Sequence, residues 1–278
     1  MAPVMETTFG PGRMIWTVNR ELALLIGAGR ALLMQLAHPL VAAGVAAHSR
    51  FSEDPLGRLV RTLDPMYAMV FGPPERTAGA VARLRATHAR VAGVLPEAIG
   101  AYPAGTRYDA GDPALALWVH ATLIDTSLQV YDRFVTRLAP AARARYYADS
   151  RELARMLGIP EALTPATLAA FERYVADTIA SDALAVGATA RDLARLVFHP
   201  PAARSLRAIA PVVELVTAGL LPPRLRDLYG YRWSPGRERL MAMAAWLLRR
   251  ALPALPAGLR IAPPARAAER RHLTLTAS

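Results

Sequence analysis

The sequence predicts an all-α protein, a single globular domain of roughly eight to eleven helices around a buried cofactor pocket. Three observations lead there. Apolar residues recur at helical spacing almost everywhere, and no alternating run is bounded by hairpin turns. Helix punctuation is frequent along the chain. Finally, 278 residues with 53% apolar and 20% charged side chains can bury a large core and still leave room for a ligand.

Taken in order, Met1 to Gly12 lacks the basic start and unbroken apolar run of a secretory leader, so a cytoplasmic location is expected. Leu22 to Ala47 is the longest apolar stretch, but Arg30, Gln35, His38 and Pro39 interrupt it, so a buried core segment is expected rather than a membrane span. Gly27-Ala-Gly29 has no preceding strand and no third glycine, which points to close helix packing rather than a nucleotide loop. His38-Pro39 breaks the helix, and the imidazole is a candidate to satisfy the carbonyl that proline frees.

Arg76 to Val91 places Val81, Leu84, His88 and Val91 on one stripe, with Arg83, Arg85 and Arg90 elsewhere. Ala101 to Pro113 is looser. Asp112 and Pro113 then open a helix, Ala114 to Val135, that is apolar on nearly every face and therefore central. Gly158 before Pro160 marks a helix stop, while Thr164-Pro165, Thr189 with Asp192, and Ser234-Pro235 mark starts. One domain is expected over residues 1–250. Residues 251–278 mix proline and alanine with arginine and are expected to form a basic, poorly ordered tail.

The composition removes several chemistries. Without cysteine there is no thiolate nucleophile, disulfide, iron–sulfur cluster or thiolate-ligated metal. All 33 basic residues are arginine, so Schiff-base chemistry is absent too. A hard reaction would rest on the 6 histidines, on carboxylates and hydroxyls, or on a cofactor. The net charge of +11 suggests an acidic partner, but with 7% aromatic residues and no recognisable module, nucleic acid is not expected. Contact of the arginine tail with a membrane surface is a possible alternative.

No two histidines stand three to five residues apart, and the one Glu-x-x-His pair, Glu269 with His272, lies in the tail. His88 reads either as a core histidine satisfied by one hydrogen bond or as an axial haem ligand offered from an apolar wall. His120, beside Asp125 and Thr126 on the central helix, has the same two readings. Arg58, Arg61 and Thr62, at i, i+3 and i+4, share one helical face: either a solvated arginine face or part of a site.

Five stretches in order resemble the MpaB-like oxygenase family, which includes the latex-clearing rubber oxygenases. They are Gln35-Leu-Ala-His38-Pro39, His48-Ser-Arg-Phe51, Asp54 to Leu63 containing Arg58, Arg61 and Thr62, His88-x-x-Val91-x-Gly93, and Trp118-Val-His120-Ala-Thr122-Leu123. The resemblance covers about Arg20 to Pro201 and implies an all-helical, haem-b-dependent oxygenase that uses dioxygen on an apolar, isoprenoid- or lipid-like substrate. It implies His88 as the iron ligand, with His120 the runner-up, and Arg58, Arg61 and Thr62 as groups that meet bound oxygen or a haem propionate. Two departures stand out. Arg61 occupies the place of a lysine in the rubber oxygenases, and Val41 to Ala47 lacks their distal glutamate, leaving His38 and His48 as candidates to replace it. The alternative is a non-catalytic haem-binding or lipid-binding helical protein.

Overall fold

A computed structural model gives the architecture; it describes residues 9–48, 55–198 and 208–276, with the side chains of 55, 56, 58–60, 275 and 276 outside the description. The protein is all-α, 72% helical. Fourteen α-helices occur among the described residues. They are α1 (Met14–Asn19), α2 (Ala28–Leu36), α3 (Pro39–His48), α4 (Pro55–Phe71), α5 (Pro74–His88), α6 (Pro113–Val130), α7 (Pro140–Met156) and α8 (Leu168–Ala180). Then follow α9 (Ala188–Phe198), α10 (Ala210–Leu220), α11 (Pro223–Tyr229), α12 (Pro235–Ala251), α13 (Ala257–Arg260) and α14 (Pro263–Thr276). The number exceeds the expected eleven because proline opens eight of them, and each such proline both starts a helix and ends what precedes it.

α6 is the central helix. Asp112 caps it by accepting from Ala114 N at 2.8 Å, and ten of its residues, including Trp118, His120 and Ile124, are buried. It packs on α2, α7 and α8, and continues into a π turn, Tyr131–Val135. A 310 turn, Leu22–Gly27, leads into α2. Here the two glycines act as spacers: a Cβ on Gly27 would lie 2.5 Å from Thr126 Cγ2, and one on Gly29 would lie 2.3 Å from Thr217 Oγ1. Bare backbone at these positions lets α2 approach α6 and α10, as the sequence suggested.

Several polar groups in this core are matched. Buried Arg30 donates to the Leu220 carbonyl (2.8 Å), to Thr126 Oγ1 and to the Asp125 carboxylate, tying α2 to α6 and α10. Trp118 Nε1 donates to Met34 O, Gln35 Nε2 to Thr122 Oγ1, and Tyr229 Oη to Leu33 O. Buried polar groups need such partners.

Pro39 bends the chain by 107° between the Leu22–Leu36 segment and α3. Among the described residues no single helix is long and apolar enough to cross a membrane. The His38 ring does not return to the freed carbonyl as expected. The Gln35 carbonyl accepts from His38 N instead, and the ring turns toward Tyr102.

Two further expectations change and one holds. The looser patch contributes β2 (Arg107–Asp109) to a two-stranded antiparallel ladder with β1 (Ala92–Val94), with Gly93 opposite Tyr108. Thr164 bonds the Pro160 carbonyl rather than starting a helix, and Thr167 caps α8. Gly158, at φ +84, does end α7, as its position predicted.

The largest difference is the C-terminal segment, expected to be poorly ordered. It folds into α13 and α14 and packs on the domain. Glu21 pairs with Ile261 in an isolated bridge, Ala262 N donates to Arg20 O at 2.8 Å, and Arg260 makes a two-pronged contact with the buried Glu21 carboxylate. Ala262, Ala265 and Ala268 are buried, and Arg271 donates to the Phe71 carbonyl at the end of α4. Alanine spacing lets α14 lie close, while buried Glu21 is matched by the charge of Arg260 at the end of α13.

Candidate functional site

α4 and α5 form an antiparallel helical hairpin. Gly72 closes it, because a Cβ there would meet the Ala68 carbonyl at 2.4 Å. Thr77 Oγ1 donates to the same carbonyl at 2.8 Å, and Arg76 pairs with Asp64 at 2.8 Å. Both helices rise about 1.5 Å per residue from this turn, so His88, in the last turn of α5, lies level with the first turns of α4, where Arg58 stands.

His88 is half-buried, together with Val81, Leu84 and Val91, while Arg83, Arg85 and Arg90 are exposed. The stripe read from the spacing is therefore present, though at the edge of the core rather than inside it. Burial pulls the His88 pKa down, so the imidazole is neutral at pH 7 and keeps a lone pair for a metal. Arg61 and Thr62 are exposed on α4. The side chain of Arg58 lies outside the described residues.

The other predicted histidines belong to different parts of the fold. His120 is fully enclosed on α6 and faces α7 at Ser150; burial pushes its pKa down to about 4, against the opposing effect of the Ser150 backbone. Its Nδ1 is buried with no hydrogen-bond partner. His38 sits in the α2–α3 turn, where its Nε2 and Tyr102 Oη share a hydrogen bond of 3.1 Å. Burial lowers its pKa to about 4, with Asp112 acting in the other direction, and its Nδ1 is likewise without a partner.

At the far end of α3, His48 Nε2 lies 3.4 Å from Tyr108 Oη. Two His–Tyr pairs therefore join α3 to the loop and ladder between α5 and α6. A cleft of about 390 Å³ opens beside them, lined by Gly93, Tyr108 and Asp112 among others. Tyr102 and Tyr108 were missed in the sequence because each lies about 60 residues from its histidine, in a stretch without helical period.

Among the described residues, no hydrogen bond or ring contact joins His88 to His120 or His38, and no group of three or more His, Asp and Glu could hold a metal ion. A haem iron asks for only one protein imidazole, because the macrocycle provides the equatorial donors. The donor set on the hairpin fits that requirement: a neutral, half-buried His88 with apolar neighbours, and arginines on the helix alongside.

The α4–α5 hairpin of this all-helical fold thus places a half-buried histidine beside an arginine-bearing helix. The comparisons agree on the family. Residues 15–250 match the family described as ER-bound oxygenase mpaB/B'/rubber oxygenase, catalytic domain, and the chain belongs to that family of oxygenases. It is also similar to two uncharacterised proteins, from Mycobacterium bovis and Mycobacterium tuberculosis, each 31% identical over 146 residues, which is 51% of this chain and 54% of the relative. The chain thus spans about half the length of these curated relatives. No solved structure matches it significantly.

Proposed function

We propose that this protein is a haem-b-dependent oxygenase that uses dioxygen on an apolar, isoprenoid- or lipid-like substrate. Membership of an oxygenase catalytic family supports the reaction class. What supports the haem assignment is His88, a half-buried imidazole on the apolar stripe of α5, in the helix paired with the Arg58-bearing α4.

His88 would hold the haem iron, and the haem would supply binding and activation of dioxygen when bound. The chain's own part is electrostatic and steric. Arg58 and Arg61 offer permanent positive charge to a propionate or to negative charge that develops near the oxygen, and Thr62 offers a hydroxyl donor. Arg61 carries no lone pair at any working pH, so it donates hydrogen bonds and does not compete for iron. Met66, half-buried about one turn beyond Thr62 on α4, offers an apolar side chain suited to a hydrocarbon. His120 and His38, neutral and enclosed, act as fixed dipoles of the core rather than as ligands in this reading.

The test is oxygen uptake by the haem-reconstituted protein with squalene as an unsaturated apolar probe, followed by mass analysis of products formed under 18O2. Labelled oxygen in a cleaved or hydroxylated product supports an oxygenase. A stoichiometric haem protein that gives no product with squalene or with other unsaturated lipids would point to haem carriage without turnover.

A further inference from the structure

Among the described residues, α12 carries a group of four large exposed apolar side chains. On α12, Met243 (55% exposed), Trp246 (55%) and Leu247 (53%) face solvent together with Leu240, while Met241 and Ala245 face the core. The spacing puts Arg239, Met243, Trp246 and Arg250 at i, i+4, i+7 and i+11, a single stripe along the helix, with Leu240 and Leu247 beside it. The apolar centre is thus closed by an arginine at each end. The Arg250 guanidinium lies over the Trp246 ring at 4.6 Å.

The neighbouring helix adds to this surface. α10 packs on α12: Gly219 near its end approaches Met241, and Val216 and Leu248, one turn or more away from these, pack on the same cluster, the order of an antiparallel pair. That arrangement brings the first turn of α10, with exposed Val212 (60%) and Val213, level with the last turns of α12. No acidic residue occurs between Glu238 and Glu269, and Glu238 turns away to bond Arg133 and Trp233.

We propose that the outer face of α12, with the first turn of α10, docks on an anionic membrane surface. Its chemistry fits an interface: a tryptophan and aliphatic side chains for the acyl boundary, and arginines for phosphate headgroups. A second copy fits poorly. Two α12 faces packed antiparallel set Arg239 against Arg250, and packed parallel set each arginine against its own equivalent, with no acid on the outer stripe of α12 to compensate, the one acid of the adjoining α10 turn being Glu214. In the C-terminal segment, from which membrane contact was expected, Arg260 and Arg271 are engaged by Glu21 and the Phe71 carbonyl, which leaves it fewer arginines to offer a surface.

Cosedimentation of the full chain with phosphatidylcholine vesicles, with and without phosphatidylglycerol, tests this independently of haem or turnover. The wild type should bind the anionic vesicles and show a blue shift of tryptophan emission that Trp246→Phe removes. Arg239→Gln with Arg250→Gln should weaken partition by about thirtyfold, about fivefold per arginine. Leu240→Ser, Met243→Ser and Leu247→Ser, all at exposed positions, should abolish binding with an unchanged circular dichroism spectrum. Absence of binding, or equal binding by these variants, overturns the proposal. So does a dimer in sedimentation that the serine variants dissociate while vesicles are ignored.

Discussion

Replacing Arg30 with methionine should be among the most damaging single changes in this protein. Its side chain is 4% exposed and serves three acceptors on two other helices: the Leu220 carbonyl, Thr126 Oγ1 and the Asp125 carboxylate, itself only 14% exposed. Methionine fills most of the volume but donates nothing, so a nearly buried carboxylate and a buried carbonyl lose their partner. Breaking one side of a buried ion pair costs about 3–5 kcal/mol, against about 1 kcal/mol for a surface pair. For a chain of this size that lowers Tm by about 10 °C. Urea unfolding followed by helical circular dichroism measures it. Removing the charge with its partner, as Arg30→Met with Asp125→Leu, should recover at least half of the loss, which is a coupling of about 2 kcal/mol. A single-variant loss below about 1 kcal/mol, or losses that simply add in the double variant, would refute the reasoning that this pair organises the contact of α2 with α6 and α10.

Other outcomes follow from the same structure. Gly29→Ala should destabilise by about 1–3 kcal/mol because its Cβ would meet Thr217 Oγ1, and Thr217→Ala should rescue most of that loss in a thermal melt. His38 and His120 stay neutral in the folded protein down to about pH 4, whereas unfolded histidine takes up a proton near 6.5. Stability should thus be full above pH 6.5 and fall as the pH drops toward 4, by on the order of 3 kcal/mol for each group. Urea midpoints between pH 7 and 5, where ordinary carboxylates hardly titrate, should show this slope, and His120→Asn should roughly halve it. Deleting residues 251–278 should not leave an intact domain. It strips α14 from α4 and leaves Glu21 buried opposite a missing Arg260, so the product should melt earlier or aggregate, a result that size exclusion and thermal melts would show.

The helical class, the central α6, the break at His38-Pro39 and the spacer role of Gly27 and Gly29 were all legible because each depends on local chemistry: period, proline, or the missing Cβ. What was not legible depends on distance along the chain. Arg30 read as an interruption of an apolar run, since its partner Asp125 is 95 residues away. The C-terminal segment read as loose because its alanines and prolines bury little by themselves. They bury against α4 and Glu21 only after some 240 residues have folded back. His88 stood out by stripe, but its half-buried position at the end of α5 is set by the packing of the hairpin. Tyr102 and Tyr108 carried no pattern at all, since a two-stranded ladder of three residues a side is too short for alternation to register.

The central claim is that His88 holds a haem iron, and optical spectroscopy of the purified protein from haem-replete cells tests it most directly. Ferric, dithionite-reduced and carbon-monoxide spectra of the wild type should show a Soret band at near-stoichiometric haem. His88→Ala should lose or shift that band, and imidazole should restore it in part, while His120→Asn, in the enclosed α6–α7 contact, should leave it unchanged. Haem-free wild type, or a band indifferent to His88 and lost with His120, would contradict the account.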